Sequence, residues 1–147
     1  MIALIQRVKS SSVKVDGKEI AKIGKGFNIL LGIVEDDTSE DIDKLIKKIV
    51  KMRIFENDCG KFDLSILDVD GEVLVVSQFT LSANIKKGNR PSFSKAMNPK
   101  DAKVLYREFV EKLSNYVPTK EGIFGAMMEV EIINDGPVTI IANSKEI

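Results

Sequence analysis

The sequence predicts an α+β fold: a curved, mainly antiparallel β-sheet or barrel with two main helices packed on it. Three observations carry this expectation. Short apolar or alternating segments dominate both ends of the chain, two segments carry the repeat of an amphipathic helix, and turn residues punctuate the rest. A length of 147 residues suits one domain spanning 1–147, built on one core.

Ala3 to Lys9 reads as a short apolar strand that Ser10, Ser11 and Ser12 interrupt. Val13-Lys14-Val15 alternates, Asp16-Gly17 supplies a two-residue turn, and Lys18 to Ile23 returns. Asp-Gly suits a type I′ hairpin because it tolerates the positive φ that this turn demands. Gly24 and Gly26 mark the next turn. Phe27 to Val34 is a nearly continuous apolar run, the signature of a strand buried on both faces.

Ile42, Leu45, Ile46, Ile49 and Val50 then form one helical stripe, with Thr38 or Ser39 available as the cap. Acids lead this helix (Glu40, Asp41, Asp43) and Lys47, Lys48 and Lys51 close it, which complements the helix dipole. The lysines read as a solvated face. A second helix begins at Asn98-Pro99, a cap followed by proline at the first helical position, and ends before Pro118. Its stripe is Ala102, Leu105, Tyr106, Phe109 and Leu113. Val73 to Val76 is the apolar centre of a strand within Glu72 to Leu81. Met128 to Ile132 alternates with period two, Asn134-Asp135-Gly136 reads as a turn, and Pro137 to Ala142 as the final strand.

Composition narrows the chemistry. Lys plus Arg and Asp plus Glu both number 22, so the chain is neutral overall and does not read as a globally basic nucleic-acid binder. There is no His, which removes imidazole bases, His-based triads and His metal sites. The single Cys, Cys59, sits in a turn-like Asn-Asp-Cys-Gly and has no inferred role. No cofactor and no metal ligand cluster is expected. No signal-peptide core or bilayer-length apolar run is visible, so the expectation is a cytoplasmic protein without membrane contact. Chemistry falls to hydroxyls, carboxylates, Lys, backbone amides or the substrate itself.

Three segments then stand out. Ser77-Gln78-Phe79-Thr80-Leu81 delivers hydroxyls and an amide directly after a buried strand, where a rigid element holds them and strand-end N–H groups can form an oxyanion site. The same residues also suit a strand end that bonds its own turn. Asn134-Asp135-Gly136-Pro137-Val138-Thr139 combines a glycine, which admits close approach to the backbone, with a proline that can be cis. On residue type alone a hairpin turn fits equally. Ile85 to Lys100 carries Lys86, Lys87, Arg90, Lys95 and Lys100, with no acid from Ser82 through Lys100, as a phosphate-contacting or merely solvated loop would.

Taken together with Met1-Ile2-Ala3-Leu4-Ile5-Gln6-Arg7-Val8 and Arg90-Pro91-Ser92-Phe93, these segments closely resemble the D-aminoacyl-tRNA deacylase family, in order and spacing, from Met1 to about Ala142. The resemblance implies that family's fold and a homodimer with active sites at the subunit interface. It implies hydrolysis of the ester joining a D-amino acid, or glycine, to the 3′ end of tRNA, with L-aminoacyl-tRNA spared. Ser77, Gln78, Phe79 and Thr80 would line one side of the pocket as the catalytic group. Gly136-Pro137 would be a cis dipeptide reaching across from the other subunit, and Arg7 the arginine that orients it. Lys86, Lys87 and Arg90 would then meet phosphates near the tRNA acceptor end. Two rivals of other kinds stay open: a general esterase using Thr80 or Ser77, and an RNA-binding module without catalysis.

Overall fold

The computed structural model describes residues 1–147. Its spine is β1, Ile2–Val15, hydrogen-bonded along both edges. One edge pairs first with β3 (Gly26–Gly32) and then with β2 (Lys18–Ile23), while the other pairs along its length with β8 (Glu129–Asn143). All three pairings are antiparallel. Beyond β3 the sheet turns parallel, through β6 (Glu72–Ser77) to β7 (Thr119–Glu121). The result is a nearly closed mixed barrel, with α1 (Ser39–Lys51) and α2 (Pro99–Ser114) against one face and a small β4–β5 hairpin (Phe55–Glu56, Phe62–Leu64) at its side.

The apolar runs of β3 and β6 follow from burial on both faces. Phe27, Ile29, Leu31, Val73 and Val75 pack toward Ile42, Leu45, Ile49, Tyr106 and Phe109 of the helices. Leu74 and Val76 alternate to the opposite face, beside Val8, Val13 and Ile23. Parallel strands sandwiched in this way are apolar throughout. Both helical stripes are buried nearly as expected, except that Val110 rather than Leu105 completes the second. The Tyr106 hydroxyl crosses the core to donate to the Val75 carbonyl at 3.1 Å, and burial pushes its pKa up.

Two expectations are corrected. Ser10 to Ser12 do not interrupt β1; Ser11 and Ser12 are buried, and the Ser11 hydroxyl donates to the Glu131 carbonyl at 2.6 Å while accepting from Asn28 at 3.0 Å. Bonded in this way, a hydroxyl is tolerated inside a ladder. Asn134-Asp135-Gly136 is likewise no hairpin turn. The chain keeps its direction, and the segments on either side are parts of one strand, β8.

Thr38 caps α1, and Asp41 completes a capping box by accepting from the Thr38 amide at 2.8 Å. The other Asp41 oxygen accepts from Ser144 at 2.6 Å and pairs with Lys145 at 2.9 Å. Ser144 in turn accepts from the Met1 ammonium, which also meets Asp37 at 2.6 Å. The starts of β1 and α1 and the end of β8 are thereby tied together. Burial raises the Asp41 pKa, but the bonds from Ser144, Thr38 and Lys145 outweigh it and hold the carboxyl well below the usual carboxylate range. Asp41→Asn is therefore expected to lower stability by about 1–3 kcal/mol at neutral pH. A depressed native pKa stabilises above the unfolded value, near 3.8, and the advantage drains away as pH falls toward the native one. Urea unfolding of both proteins should show a gap at neutral pH that narrows on strong acidification.

Candidate active site

β3, β6 and β7 run parallel, and their carboxyl ends open on one side of the sheet. A cleft of about 640 Å³ sits there. This is the position at which parallel sheets ordinarily receive ligands, because main-chain groups leave the ladder together. Gln78 extends β6 by one rung, its amide donating to the Leu31 carbonyl at 2.8 Å. The chain then winds into a 3-10 turn over Phe79–Ser82. The turn lies directly on Gly32, where an added Cβ would come within 2.9 Å of Leu81 and 3.0 Å of the Gln78 carbonyl. No larger residue at position 32 leaves the turn in place.

Ser77, Gln78 and Phe79 line the polar rim of the cleft. Thr80 does not line it; it is exposed on the turn, where its hydroxyl accepts from Gln78 Nε2 at 2.5 Å. That bond aims the Gln78 amide and occupies the Thr80 oxygen. The first amides of a helical turn, here those of Phe79 and Thr80, have no acceptor within it and are available to an oxyanion.

The opposite wall is apolar: Phe124, Ala126, Met127, Met128 and Val130 face Phe93 and Met97. Sequence reasoning did not assign this wall. Its one signal is Ile123 to Met128, an apolar stretch with neither helical nor strand period, in which Met127 is 92% exposed.

Lys86, Lys87 and Arg90 ride a loop closed by mutual Asn84–Ser92 backbone bonds of 2.8 and 2.9 Å, and all three are exposed. Phe93, just past the loop, packs edge-on against Phe79 with ring centres 5.2 Å apart. The basic loop is thus fixed to the rim of the cleft.

Arg7, Gly136 and Pro137 form a separate locus that does not line this cleft. β8 leaves its ladder between Thr139, opposite Gln6, and Asn134, opposite Val8, so four residues bulge out across from Arg7. Gly136 and Pro137 are exposed there, and the bond between them is cis. Arg7 itself is only 4% exposed. Its guanidinium donates to the Asp135 carbonyl at 3.1 Å and to the Ile54 carbonyl at 2.7 Å. It lies near the rings of Phe55 and Phe62, and the carboxylates of Asp135 and Glu56 stand 3.5 and 3.6 Å away. A buried cation needs such saturation.

The fold, a nearly closed mixed barrel with a cleft at the ends of its parallel strands, is one that solved structures share. A family model described as D-Tyr-tRNA(Tyr) deacylase matches residues 4–143, and the chain belongs to that family. It is 66% identical to a D-aminoacyl-tRNA deacylase of a Nitratiruptor species and 57% identical to one of Aquifex aeolicus, each over the whole of both chains. Among solved structures it resembles one named c-Myc DNA Unwinding Element Binding Protein, with a TM-score of 0.93 and 44% identity over 97% of this chain and 98% of that one.

Gly136 has φ +124, a left-handed conformation that L side chains rarely adopt. A Cβ there would stand 3.0 Å from Val138 Cγ2 and 3.2 Å from Arg7 Nη2. Gly136→Ala is expected to cost about 1–3 kcal/mol, read by urea unfolding.

Proposed function

We propose that this chain hydrolyses the ester of D-aminoacyl-tRNA and of glycyl-tRNA, releasing the amino acid and tRNA, and that it spares the L-esters. One observation carries the reading: Ser77, Gln78 and Phe79 meet at the carboxyl end of β6, on a cleft whose rim holds a basic loop free of acids. An aminoacyl ester is already activated, so positioning and oxyanion donors suffice where no imidazole exists. The amides that open the 3-10 turn are the proposed donors. The apolar wall takes the flat base of the terminal nucleoside, whose vicinal hydroxyl assists the attacking water. Lys86, Lys87 and Arg90 meet phosphates without reading bases, which suits an enzyme of many tRNAs.

Chiral selection falls to the cis Gly136-Pro137 dipeptide, which enters the cleft of a second subunit. Three features support the crossing. The dipeptide is exposed and lies off its own cleft, Arg7 holds the Asp135 carbonyl just before it, and β8 has an edge that no strand of this chain covers. A pocket that must admit many D-side chains works best by obstructing the L position. Main-chain atoms obstruct well because they cannot rotate away, and glycine passes such a filter. The family and these features together support a dimeric, cytoplasmic enzyme. No helix is long and apolar enough to cross a membrane.

A second reading, a nucleic-acid-binding module without catalysis, has in its favour the name given to the solved structure that is 44% identical, a DNA unwinding element binding protein. Matched D-tyrosyl-, L-tyrosyl- and glycyl-tRNA separate the two. The D- and glycyl esters should disappear faster than in a no-enzyme control while the L-ester persists, and Gly136→Ala should impair hydrolysis of the D-ester. Equal loss of D and L overturns the filter. Binding without hydrolysis favours the module, and brisk cleavage of a small chromogenic ester favours a general esterase. Thr80→Ala discriminates mechanism. With substrate-assisted attack, turnover should stay within about tenfold of the parent, whereas a Thr80 nucleophile or base predicts a loss on the order of 10²–10⁴ or more.

A further inference from the structure

Sequence reading leaves the lysines of α1 as a solvated face, yet they converge on a groove. Lys44, Lys47, Lys48 and Lys51 line an open groove of about 530 Å³ with Met52 and Arg53. None of the four lysines is in an ion pair, whereas Arg53 is bonded to Asp63. Ile147 completes the lining, which includes no acidic side chain. The acids of α1, Glu40, Asp41 and Asp43, all precede these lysines, Asp41 in the capping box and Asp43 paired with Lys112 at 2.8 Å. Helix-dipole compensation does not account for this arrangement. The dipole's carboxyl end is worth about half a negative charge, felt within the last turn, against four unpaired cations spread over two turns. In a chain of zero net charge, this is a concentrated positive patch.

The position of the groove is as informative as its charge. Met52 and Arg53 lead straight into Ile54, whose carbonyl accepts from Arg7 at 2.7 Å, and the same guanidinium bonds Asp135 beside Gly136. The basic groove therefore abuts the locus that carries the Gly136-Pro137 dipeptide. The apolar stripe of α1 is buried in the core, which leaves no hydrophobic face for a membrane. Positions 44 to 51 span about 10 Å of helix, enough for two or three successive phosphates of a nucleic-acid strand.

We propose that this groove holds the phosphate backbone of the tRNA whose aminoacyl end occupies the cleft of the opposite subunit. The inference rests on the crossing of Gly136-Pro137 argued above. Each RNA is then gripped from two sides, by the Lys86–Arg90 loop of the subunit that holds its ester and by α1 of the subunit that supplies the dipeptide.

The test is the variant Lys44→Gln, Lys47→Gln, Lys48→Gln, Lys51→Gln, in which all four positions are exposed. KM for D-tyrosyl-tRNA should rise about tenfold or more, with kcat within about twofold and a salt slope shallower by about two to three. D-tyrosyl-adenosine, which has no phosphates, should be cleaved as by the parent. Affinity for uncharged tRNA should fall by the same factor; this arm needs no hydrolysis, so failure of the groove and failure of the deacylase reading are distinguishable. An unchanged KM and salt slope, or an equal loss on D-tyrosyl-adenosine, overturns the proposal. So does an equal effect from neutralising the exposed Lys9, Lys14 and Lys18. In mixed dimers, one subunit carries a cleft-filling Ala126→Trp. Removing the groove of that subunit should raise KM, and removing the groove of the open-cleft subunit should not. The reverse pattern, or a monomer in solution, overturns the crossing.

Discussion

β1 is bonded on both edges, and opposite Arg7 the partner strand departs from it by four residues. Such a departure removes ladder partners from backbone groups and leaves polar atoms to be satisfied elsewhere. Arg7 supplies the replacement, because one planar guanidinium with several donors bonds carbonyls of β8 and of the α1–β4 connection at once. The cation is in turn compensated by two carboxylates and two aromatic rings. Lysine, with one compact ammonium, cannot reproduce that fork. On the other edge the same strand sets the register of β3, which fixes β6 and so the turn that carries Gln78 and Thr80. The bulge and the cleft are separate in space, but both take their position from β1.

On the reading proposed above, a cleft lined by no histidine, carboxylate, lysine or cysteine relies on geometry for its catalytic power. Here the groups at the cleft are a serine hydroxyl, an amide aimed by a threonine, and main-chain N–H groups at a strand end. None is a strong base at neutral pH. Their value is that packing beneath them is dense: Val75 and Val76 are buried, and Gly32 leaves only enough room for the turn to close. Preorganised dipoles need no rearrangement as charge develops, and that is the advantage a rigid strand end offers over a mobile loop.

Much of this was legible in the residues. Helix periodicity, the Asn98 cap, the double burial of β3 and the apolar centre of β6 all depend on local patterning, and they appear where the pattern predicts. The polar run after β6 marked the cleft rim for the same reason: it interrupts an apolar strand. What was hidden is non-local. Asn-Asp-Gly-Pro has the composition of a turn, and only the distant pairing of β8 with β1 makes it a bulge. Ser10 to Ser12 look like a break because the partners that satisfy Ser11, Glu131 and Asn28, are far along the chain. Parallel pairing of β6 left no trace beyond its apolarity. The apolar wall from Phe124 to Met127 had no periodic signal, and Thr80, prominent in sequence, turns out to support Gln78 rather than line the cleft.

Zero net charge fits this arrangement once the charges are located. Acids gather at the start of α1 and around the Met1 terminus, while unpaired lysines gather at the other end of that helix and on the loop beside Phe79. At physiological salt the screening length is about 8 Å, so a polyanion at the surface responds to the local patch and not to the sum. On the reading proposed above, both ends of the substrate are then recognised without regard to identity: phosphates by charge, and the α-carbon by main-chain atoms that no side chain of the substrate displaces. An enzyme that must act on many tRNAs and many amino acids, yet on one configuration, needs that combination. A more basic chain would hold every tRNA tightly, including the deacylated product. On the same reading, grouping unpaired lysines beside the cleft and along α1 concentrates the attraction where phosphates would meet the protein.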